Sequence, residues 1–557
     1  MANRIIVDPI TRIEGHLRIE CEVDSSNVIT DAWSSITMWR GIETILKGRD
    51  PRDAGLIVQR FCGVCTFAHY EASIMACEDA FKIKIPANAQ IIRNLIQGAQ
   101  YLYDHIMHFY HLHGLDWVDI VSALSANPQK AVDLAKSLCA NPYNCSVTHY
   151  KAVQDRITKF VKSGRLGPFA NAYWGNPSFK LSPEANLIVT SHYLDALQIS
   201  KLGAQMMAIF GGKNPHPQTL VVGGVTSVMD ALDASRLGQY LFRLKELKNF
   251  IETAYIPDVL AAAAFYKDEG IKGIGGGVKN YLCYGGFPLD PAGSKFLFPR
   301  GIIKNRDITK VLPVDEAKIT EEATHSWYKG SDAQHPYKGT TEPEYTGYNK
   351  EGNLKGQDKY SWCKAPRLDA EPYEVGPLAR VLIAYVSGVP EIKALVDGTL
   401  KATGLPVTAL FSTLGRTAAR ALETKFVADK IEGWVGELIA NIKAGNTETW
   451  TRCDVPRKGE GRGLTEPPRG ALGHWIRIDK KVIANYQAVV PSTWNCSPRD
   501  KAGKRGPYEE SLIGTKLAKI DQPLEILRTI HSFDPCMACA VHIINPETKE
   551  IRKFKIA

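Results

Sequence analysis

Two short stretches decide how this chain is read: Arg60-Phe61-Cys62-Gly63-Val64-Cys65-Thr66-Phe67-Ala68-His69 near one end and Asp534-Pro535-Cys536-Met537-Ala538-Cys539-Ala540-Val541-His542 near the other. Each holds a C-x-x-C pair with a histidine a few residues downstream. The spacing lets both sulfurs of a pair reach one ion. Two pairs make a four-thiolate site suited to zinc, iron or another metal that tolerates soft ligands. A zinc ribbon keeps its second pair within ~15–20 residues of the first. Here most of the chain lies between Cys65 and Cys536, so a local clip fits poorly. A shared site would draw both ends of a large protein together in its middle.

The other eight cysteines, Cys21, Cys77, Cys139, Cys145, Cys283, Cys363, Cys453 and Cys496, are scattered singly and read as buried small hydrophobes. Twelve cysteines in 557 residues are too sparse for a disulfide scaffold. With 44% hydrophobic and 23% charged residues, the chain can bury a large core, which excludes disordered and fibrous classes. The net charge of +9 is not gathered into runs, so no nucleic-acid partner is expected. No stretch of about 18 apolar residues predicts a membrane-spanning helix. The opening MANRIIVDPITRIEGHLRIE has scattered charges and no run of roughly 7–15 apolar residues, so no signal peptide of its own is expected.

Alternation over Arg4-Ile5-Ile6-Val7 and His16–Val23 predicts strands in a small sheet. Asp50-Pro51-Arg52-Asp53 reads as a helix start, with the first pair beyond it at a break marked by Gly63. A long helical pattern runs from Asn88 to about Val118. Others cover 149–163, 184–211, 230–268, 375–400, 407–444 and 507–531. Residues 269–370, rich in Gly, Pro, Tyr and Asp, read as an irregular excursion with short strands. Residues 450–506 read as a second irregular segment. Gly273-x-Gly275-x-Gly277 lacks the third glycine of a dinucleotide fingerprint and reads as a flexible loop. The fold class expected is α+β and mainly helical: a large central helical bundle, small peripheral β-sheets and long irregular excursions.

Further motifs occur in order along the chain: Arg12-Ile13-Glu14-Gly15-His16-Leu17-Arg18, Met38-Trp39-Arg40-Gly41-Ile42-Glu43, His108-Phe109-Tyr110, Gly211-Gly212-Lys213-Asn214-Pro215-His216, Pro468-Arg469-Gly470 and Asn485-Tyr486-Gln487-Ala488-Val489-Val490-Pro491. With the two cysteine elements, they resemble the large subunit of nickel–iron hydrogenases, in particular the membrane-associated uptake group. The resemblance runs essentially end to end. It implies reversible heterolytic cleavage of hydrogen to protons and electrons at a nickel–iron centre. In that reading Cys62, Cys65, Cys536 and Cys539 bind nickel. Cys65 and Cys539 also bridge to an iron carrying carbonyl and cyanide ligands, while Cys62 and Cys536 are terminal.

The same resemblance assigns the surrounding residues. Cys536 takes a proton and Glu14 relays it, although Glu14 taken alone reads as a surface strand carboxylate. Arg469 is suspended over the metals. A pKa above ~12 makes it a poor free base, so its work is positioning and electrostatic. Asp104 and Asp534 hold it, and Asp534 also reads as a helix N-cap before Pro535. Ser492 donates to a cyanide, with Pro468 and His69 beside the ligand set and His69 hydrogen-bonding near Cys65. Glu43, the carbonyl of Ala488 and His542 form a smaller magnesium site, chemistry that a carboxylate, a carbonyl and waters suit. Val64 and Leu112 form the neck of a gas channel, though both also read as core packing. His105, His108, His111 and His113 take roles around the site or at a subunit contact, not a separate metal site.

No ferredoxin-like cysteine run remains once the four are assigned. Electrons are therefore expected to leave through an iron–sulfur small subunit, then a membrane cytochrome or other membrane electron acceptor. That subunit would carry the export signal, placing the complex on the periplasmic side of the membrane. Residues 1–542 are expected to form a single large catalytic domain. Residues 543–557 are expected to be a propeptide, cut after His542 by a maturation endopeptidase working with nickel-insertion proteins. The tail carries Lys549, Arg552, Lys553 and Lys555, whose unpaired burial would be costly. Three rivals stand beside this reading: a zinc scaffold, the quinone-reducing subunit of respiratory complexes, and a hydrogen-sensing homologue. The quinone-reducing relatives lack the four cysteines, and the sensors carry bulkier residues at the channel neck. Cys496 departs from the pattern, standing where a small non-thiol residue is expected.

Overall fold

Alternation of apolar and polar residues over Leu17–Val23, beside β-branched runs, produces strands near the start of the chain. In the computed structural model β1 (Asn3–Val7), β2 (Leu17–Val23) and β3 (Ile29–Ile36) form an antiparallel sheet in that order, with Ile5 opposite Cys21 and Ile19 opposite Ser34. The structure describes residues 3–164, 169, 172–226, 234–354 and 358–537. The expectations for Cys539, His542 and the tail 543–557 fall outside the described residues.

The helical stretches form a bundle: α1 (Ala68–Phe81), α2 (Ala87–Met107), α3 (Pro183–Gly211), α4 (Ala234–Phe250), α5 (Pro377–Val386) and α6 (Thr413–Lys443). α2 lies at the centre and is buried along nearly its whole length. Small residues set how closely its neighbours approach. A methyl added at Gly98 of α2 would stand 3.0 Å from Ile431 on α6, and one at Gly203 of α3 would stand 2.5 Å from the Cβ of Tyr103. The helical pattern expected to run to Val118 changes form at His108. A π-helical turn (His108–His113) and a 3-10 turn (Gly114–Asp116) follow. A π turn inside a helix re-aims its side chains and is frequent at functional sites. Among the described residues, no helix is long and apolar enough to cross a membrane.

Four sequence readings are corrected. Residues 450–506 are not irregular throughout: β4 (Lys458–Thr465), β5 (Leu472–Asp479) and β6 (Val482–Val489) form an antiparallel sheet in that order. The pattern was hidden because Gly459, Gly461 and Gly463 occupy one face of β4, where apolar side chains would have announced a strand. The region 507–531 holds two short helices, Pro507–Leu512 and α7 (Leu524–His531), separated by Gly514 at φ 79° and by Pro523. The region 375–400 breaks at Gly388, φ 79°, ahead of a second helix, Pro390–Thr403. The Gly273–Gly277 segment is pinned rather than loose: Arg416 donates to the carbonyl of Gly275 at 2.7 Å, and Arg306 donates to that of Gly276 at 2.8 Å.

The three glycines of β4 do structural work. A methyl at Gly461 would lie 2.2 Å from the carbonyl oxygen of Ala76, and one at Gly463 would lie 1.9 Å from that of Ala72. The strand backbone therefore rests directly on α1, the helix that follows the first cysteine pair. Cys62, Cys65 and Cys536 belong to the main helical core, while Met537 belongs to the core behind the N-terminal sheet. The second cysteine element thus sits on the seam between the two.

Gly463→Ala is expected to destabilise the protein by at least about 1–3 kcal/mol, because an overpacked core must shift backbone. Gly433→Ala, on an exposed part of α6 with no atom near the added methyl, is expected to stabilise by about 0.5–1 kcal/mol. Thermal unfolding of the two variants beside the parent checks the opposite signs.

Candidate metal centre

The first pair follows a 3-10 turn, Gln59–Phe61, that ends in extended backbone at Cys62. The chain then folds back so that the N–H groups of Val64 and Cys65 both donate to Cys62 Sγ, at 3.2 and 3.1 Å. Two N–H donors thus converge on one sulfur. Cys536 Sγ stands 3.2 Å from Cys62 Sγ, too far for a disulfide bond of ~2.05 Å. The sulfurs of Cys62, Cys65 and Cys536 all lie within 4.8 Å of one another and are buried. Isolated buried thiols such as Cys21 and Cys77 are pushed far up by burial. Three converging sulfurs, one of them held by two backbone donors, instead match the donor set of a soft-tolerant cation. A nickel–iron group fits these residues.

A backbone bridge brings Glu14 to this cluster. Its N–H donates to the carbonyl of Pro535 at 3.3 Å and its carbonyl accepts from Met537 N–H at 2.8 Å, pairing residue 14 in parallel with Cys536. The Cys536 thiol then donates to Glu14 Oε2 at 3.2 Å. Glu14 is half-buried, so the surface-strand alternative does not describe it. Ser492 accepts the N–H of Cys536 at 3.1 Å, which leaves its own hydroxyl proton to donate elsewhere.

Arg469 is buried beside these groups. Nη1 and Nη2 donate to the two oxygens of Asp104 at 3.0 and 3.2 Å, Nη2 donates to Asp534 Oδ1 at 2.8 Å, and Nε donates to the Asp534 carbonyl at 3.1 Å. Burial pushes the Asp104 and Asp534 carboxyls up, with Arg469 opposing in each case. The two carboxylates, Cys536 and Cys65 hold the guanidinium well above its usual range despite burial. Asp534 caps no helix among the described residues. Its backbone is left-handed, φ 58°, and its side chain is committed to Arg469.

Glu43 lies on a separate patch. Ala488 N–H donates to its Oε1 at 2.8 Å, Thr341 donates its hydroxyl to Oε2, and Lys364 Nζ stands 3.9 Å away. Burial pushes the nearby Glu321 carboxyl up to about 7. Glu43 and Ala488 are adjacent, meeting through the Ala488 N–H and not through its carbonyl, with the Lys364 ammonium in the same patch.

One site residue departs from expectation. His69 does not bond beside Cys65. Its Nδ1 pairs with His474 Nε2 at 3.0 Å, and His474 Nδ1 pairs with the Tyr486 hydroxyl at 2.6 Å. Burial lowers His69 to about 4 and His474 well below the ordinary imidazole range, so both rings are neutral. The four histidines after Asp104 each take a separate partner: His105 Glu423, His108 the carbonyl of His531, His111 the carbonyl of Tyr193, and His113 Asp116. His113, Asp116 and His531 converge, but Trp117 Nε1 donates to His113 Nε2 at 2.9 Å. His113 therefore keeps its proton on Nδ1, facing Asp116, in a hydrogen-bonded cluster and not a ligand set. Arg12 joins this cluster. It donates to Asp116 Oδ1 at 2.5 Å and to the carbonyl of Leu112 at 2.6 Å, fixing the segment that carries Glu14 and the turn of Leu112 together. Val64, partly buried, accepts the Tyr103 hydroxyl on its carbonyl at 2.7 Å. Cys496 is buried, with its sulfur 2.9 Å from Ser34 Oγ, consistent with a structural thiol. Sequence motifs mark neither His474 nor Arg380. The signal each offers is a lone polar group in an apolar run, which needs a buried partner.

The cluster defines a buried, thiolate-rich metal centre built from opposite ends of one chain. The sequence model of the nickel-dependent hydrogenases matches residues 40–542, and one described as HoxL-like matches residues 4–38. The large chain of the quinone-reactive Ni/Fe-hydrogenase of Wolinella succinogenes is 52% identical, covering 100% of this chain and 98% of that one. The uptake hydrogenase large subunit of Rhizobium leguminosarum is 50% identical, covering 99% and 97%. The Ni-Fe-Se hydrogenase of Desulfovibrio vulgaris Hildenborough, in its reduced state, superposes with a TM-score of 0.78 at 37% identity, covering 97% of this chain and 100% of that one. The chain belongs to the nickel-dependent hydrogenase family. It is an oxidoreductase acting on hydrogen, with the α+β fold of that family's large subunits.

Cys62→Ser, Cys65→Ser, Cys536→Ser and Cys539→Ser are each expected to abolish hydrogen oxidation and to lower bound nickel, because serine is a harder ligand than a thiolate. Cys139→Ser, half-exposed and outside the cluster, is expected to change neither. Metal content and hydrogen-dependent dye reduction, measured on the same preparations, check both halves.

Proposed function

We propose that this chain is the large subunit of an uptake hydrogenase, splitting H2 into two protons and two electrons. The observation that carries the reading is the Cys536 thiol, packed against Cys62 Sγ and hydrogen-bonded to Glu14 Oε2. When bound by Cys62, Cys65, Cys536 and Cys539, a nickel–iron centre supplies an electron-rich metal with an open position for hydrogen. Cys62, Cys65, Cys536 and Cys539 would hold that group through their thiolates.

The chain's own residues manage the proton. Cys536 Sγ accepts it and Glu14 Oε2 receives it across 3.2 Å, a carboxylate near enough for direct transfer. Half-burial gives Glu14 one side toward the cluster and one toward the exterior. Arg469 stays protonated. Four of its five N–H donors are engaged by Asp104 and Asp534, so it orients and stabilises charge and does not abstract a proton. The uncommitted proton of Ser492 suits a cyanide ligand on iron, with carbonyl completing that set. Pro468 presents Arg469 to the same space. Val64 and Leu112 line the neck through which hydrogen enters, and Glu43, Ala488 and His542 would hold magnesium.

The electrons pass to an iron–sulfur small subunit and from it to a membrane acceptor. A relative named quinone-reactive supports a quinone-linked route, and the small subunit's export signal would set the complex on the periplasmic side. Residues 543–557 act as a propeptide, released by a maturation endopeptidase once nickel-insertion proteins have loaded the site. Cationic residues there could not follow Cys536 into a buried position unpaired. Residues 1–542 then remain as the catalytic domain.

Glu14→Gln keeps the shape and removes the titrating group. Nickel and iron should load normally, while hydrogen–deuterium exchange with water falls by at least the ~10²-fold associated with loss of a general base. Exchange at the parental rate would remove Glu14 from the proton route. Separately, intact-mass measurement of active enzyme should give a chain ending at His542. Full activity with residues 543–557 still attached would overturn the propeptide.

A further inference from the structure

Arg380 on α5 is completely buried and uses all five of its N–H donors. Nε and Nη2 donate to the two oxygens of Glu423 at 2.8 and 2.7 Å, and Nη1 donates to Glu466 Oε2 at 2.9 Å. The remaining two reach the carbonyls of Pro467 at 2.9 Å and Pro468 at 2.6 Å. The guanidinium also lies over the ring of Tyr101, 5.2 Å from its centroid. The carbonyl just upstream, of Glu466, accepts from the Tyr101 hydroxyl and from Gln97 Nε2 at 3.1 Å. Side chains thus hold three successive carbonyls in a segment whose two prolines have no N–H to anchor it. The next residue is Arg469.

The other end of the ion pair reaches the same place. Glu423 Oε1 pairs with His105 Nε2 at 2.7 Å, and His105 adjoins Asp104, the main carboxylate partner of Arg469. Burial keeps His105 below its ordinary range, and Arg380 keeps the Glu423 carboxyl down. His105 is therefore neutral and donates to a charged acceptor. One buried ion pair fixes both the backbone that carries Arg469 and the helix turn that carries Asp104.

We propose that Arg380 is a positioning residue for hydrogen cleavage: with Glu423 it locks the Pro467 and Pro468 carbonyls and His105, so that the Arg469 guanidinium stays in one place beside Cys65 and Cys536. This rests on the reading of Arg469 as poised over the metal centre. The job requires a planar multi-donor group. A lysine keeps the charge opposite Glu423, but its three donors on a single nitrogen cannot span a carboxylate and two carbonyls.

The test uses the purified complex with four variants: Arg380→Lys, Tyr101→Phe, Arg469→Lys and the double variant R380K/R469K. Nickel per chain, KM for hydrogen, turnover per nickel and the infrared cyanide bands are measured for each. R380K should hold nickel with KM unchanged, while turnover per nickel falls about 10²-fold, the loss typical of a ~1 Å misplacement. Its cyanide bands should shift in the direction seen in R469K. Tyr101→Phe removes a single hydroxyl from the Glu466 carbonyl and should lose about fivefold, the rate equivalent of one ordinary hydrogen bond. The double variant should turn over no slower than R469K alone, because both changes act through one guanidinium. Parental turnover and bands in R380K, or losses that multiply in the double variant, would overturn the proposal. If R380K takes up no nickel, Tyr101→Phe decides, and parental turnover and bands there overturn it. Parental turnover in R469K would instead defeat the reading of Arg469, a result distinct from an impaired R469K beside an unaffected R380K.

Discussion

Cys62 and Cys536 come from opposite ends of the chain and place their sulfurs 3.2 Å apart in the interior. That contact constrains nearly everything around it. The first cysteine element must leave directly into α1, and α1 must lie flat on β4, which three glycines on one face permit. The second element must follow α7 and then turn sharply at Asp534, where a left-handed backbone redirects the chain. Residue 14 crosses beside it and pairs with Cys536 through its own backbone. The two ends are thus joined by peptide hydrogen bonds as well as by shared ligand geometry.

Bringing thiolates inside concentrates negative charge, and the surroundings answer it with arginines that are themselves fully bonded. Arg469 spans Asp104 and Asp534, and Arg380 spans Glu423, Glu466 and two prolyl carbonyls. Buried ions of this kind are costly unless geometry and hydrogen bonding are nearly complete. Their contribution is read better as fixed orientation than as net stability. A guanidinium with four committed donors cannot swing, and a fixed positive charge is what a site that separates charge requires. Glu14 differs in kind: only half-buried, it is suited to exchange a proton and not to hold a charge in place.

Much of this was legible in the sequence. The two C-x-x-C elements, the strands at residues 4–7 and 17–23, and the long central helices follow from ligand spacing and from apolar periodicity. Asp104, Asp534 and Arg469, singled out by the family resemblance, are brought together. The β4–β6 sheet was not legible, because the face of β4 that packs on α1 is built of hydrogen atoms, and alternating glycine reads as loop. The histidine pair His69–His474 was missed for a related reason. Its geometry depends on β5 reaching α1, a contact that no local pattern encodes. Arg380 was visible only as a charge interrupting an apolar helix, and its partners lie on three separate elements.

The central claim is that the cysteine cluster holds nickel and iron together. The most direct measurement is elemental analysis of the purified complex, with an infrared spectrum recorded on the same sample. The account predicts nickel and iron in equal amounts on the large subunit, beyond the iron carried by the partner's clusters, with sharp bands for carbonyl and cyanide ligands. Zinc alone in the large subunit, with neither nickel nor those bands, would contradict it.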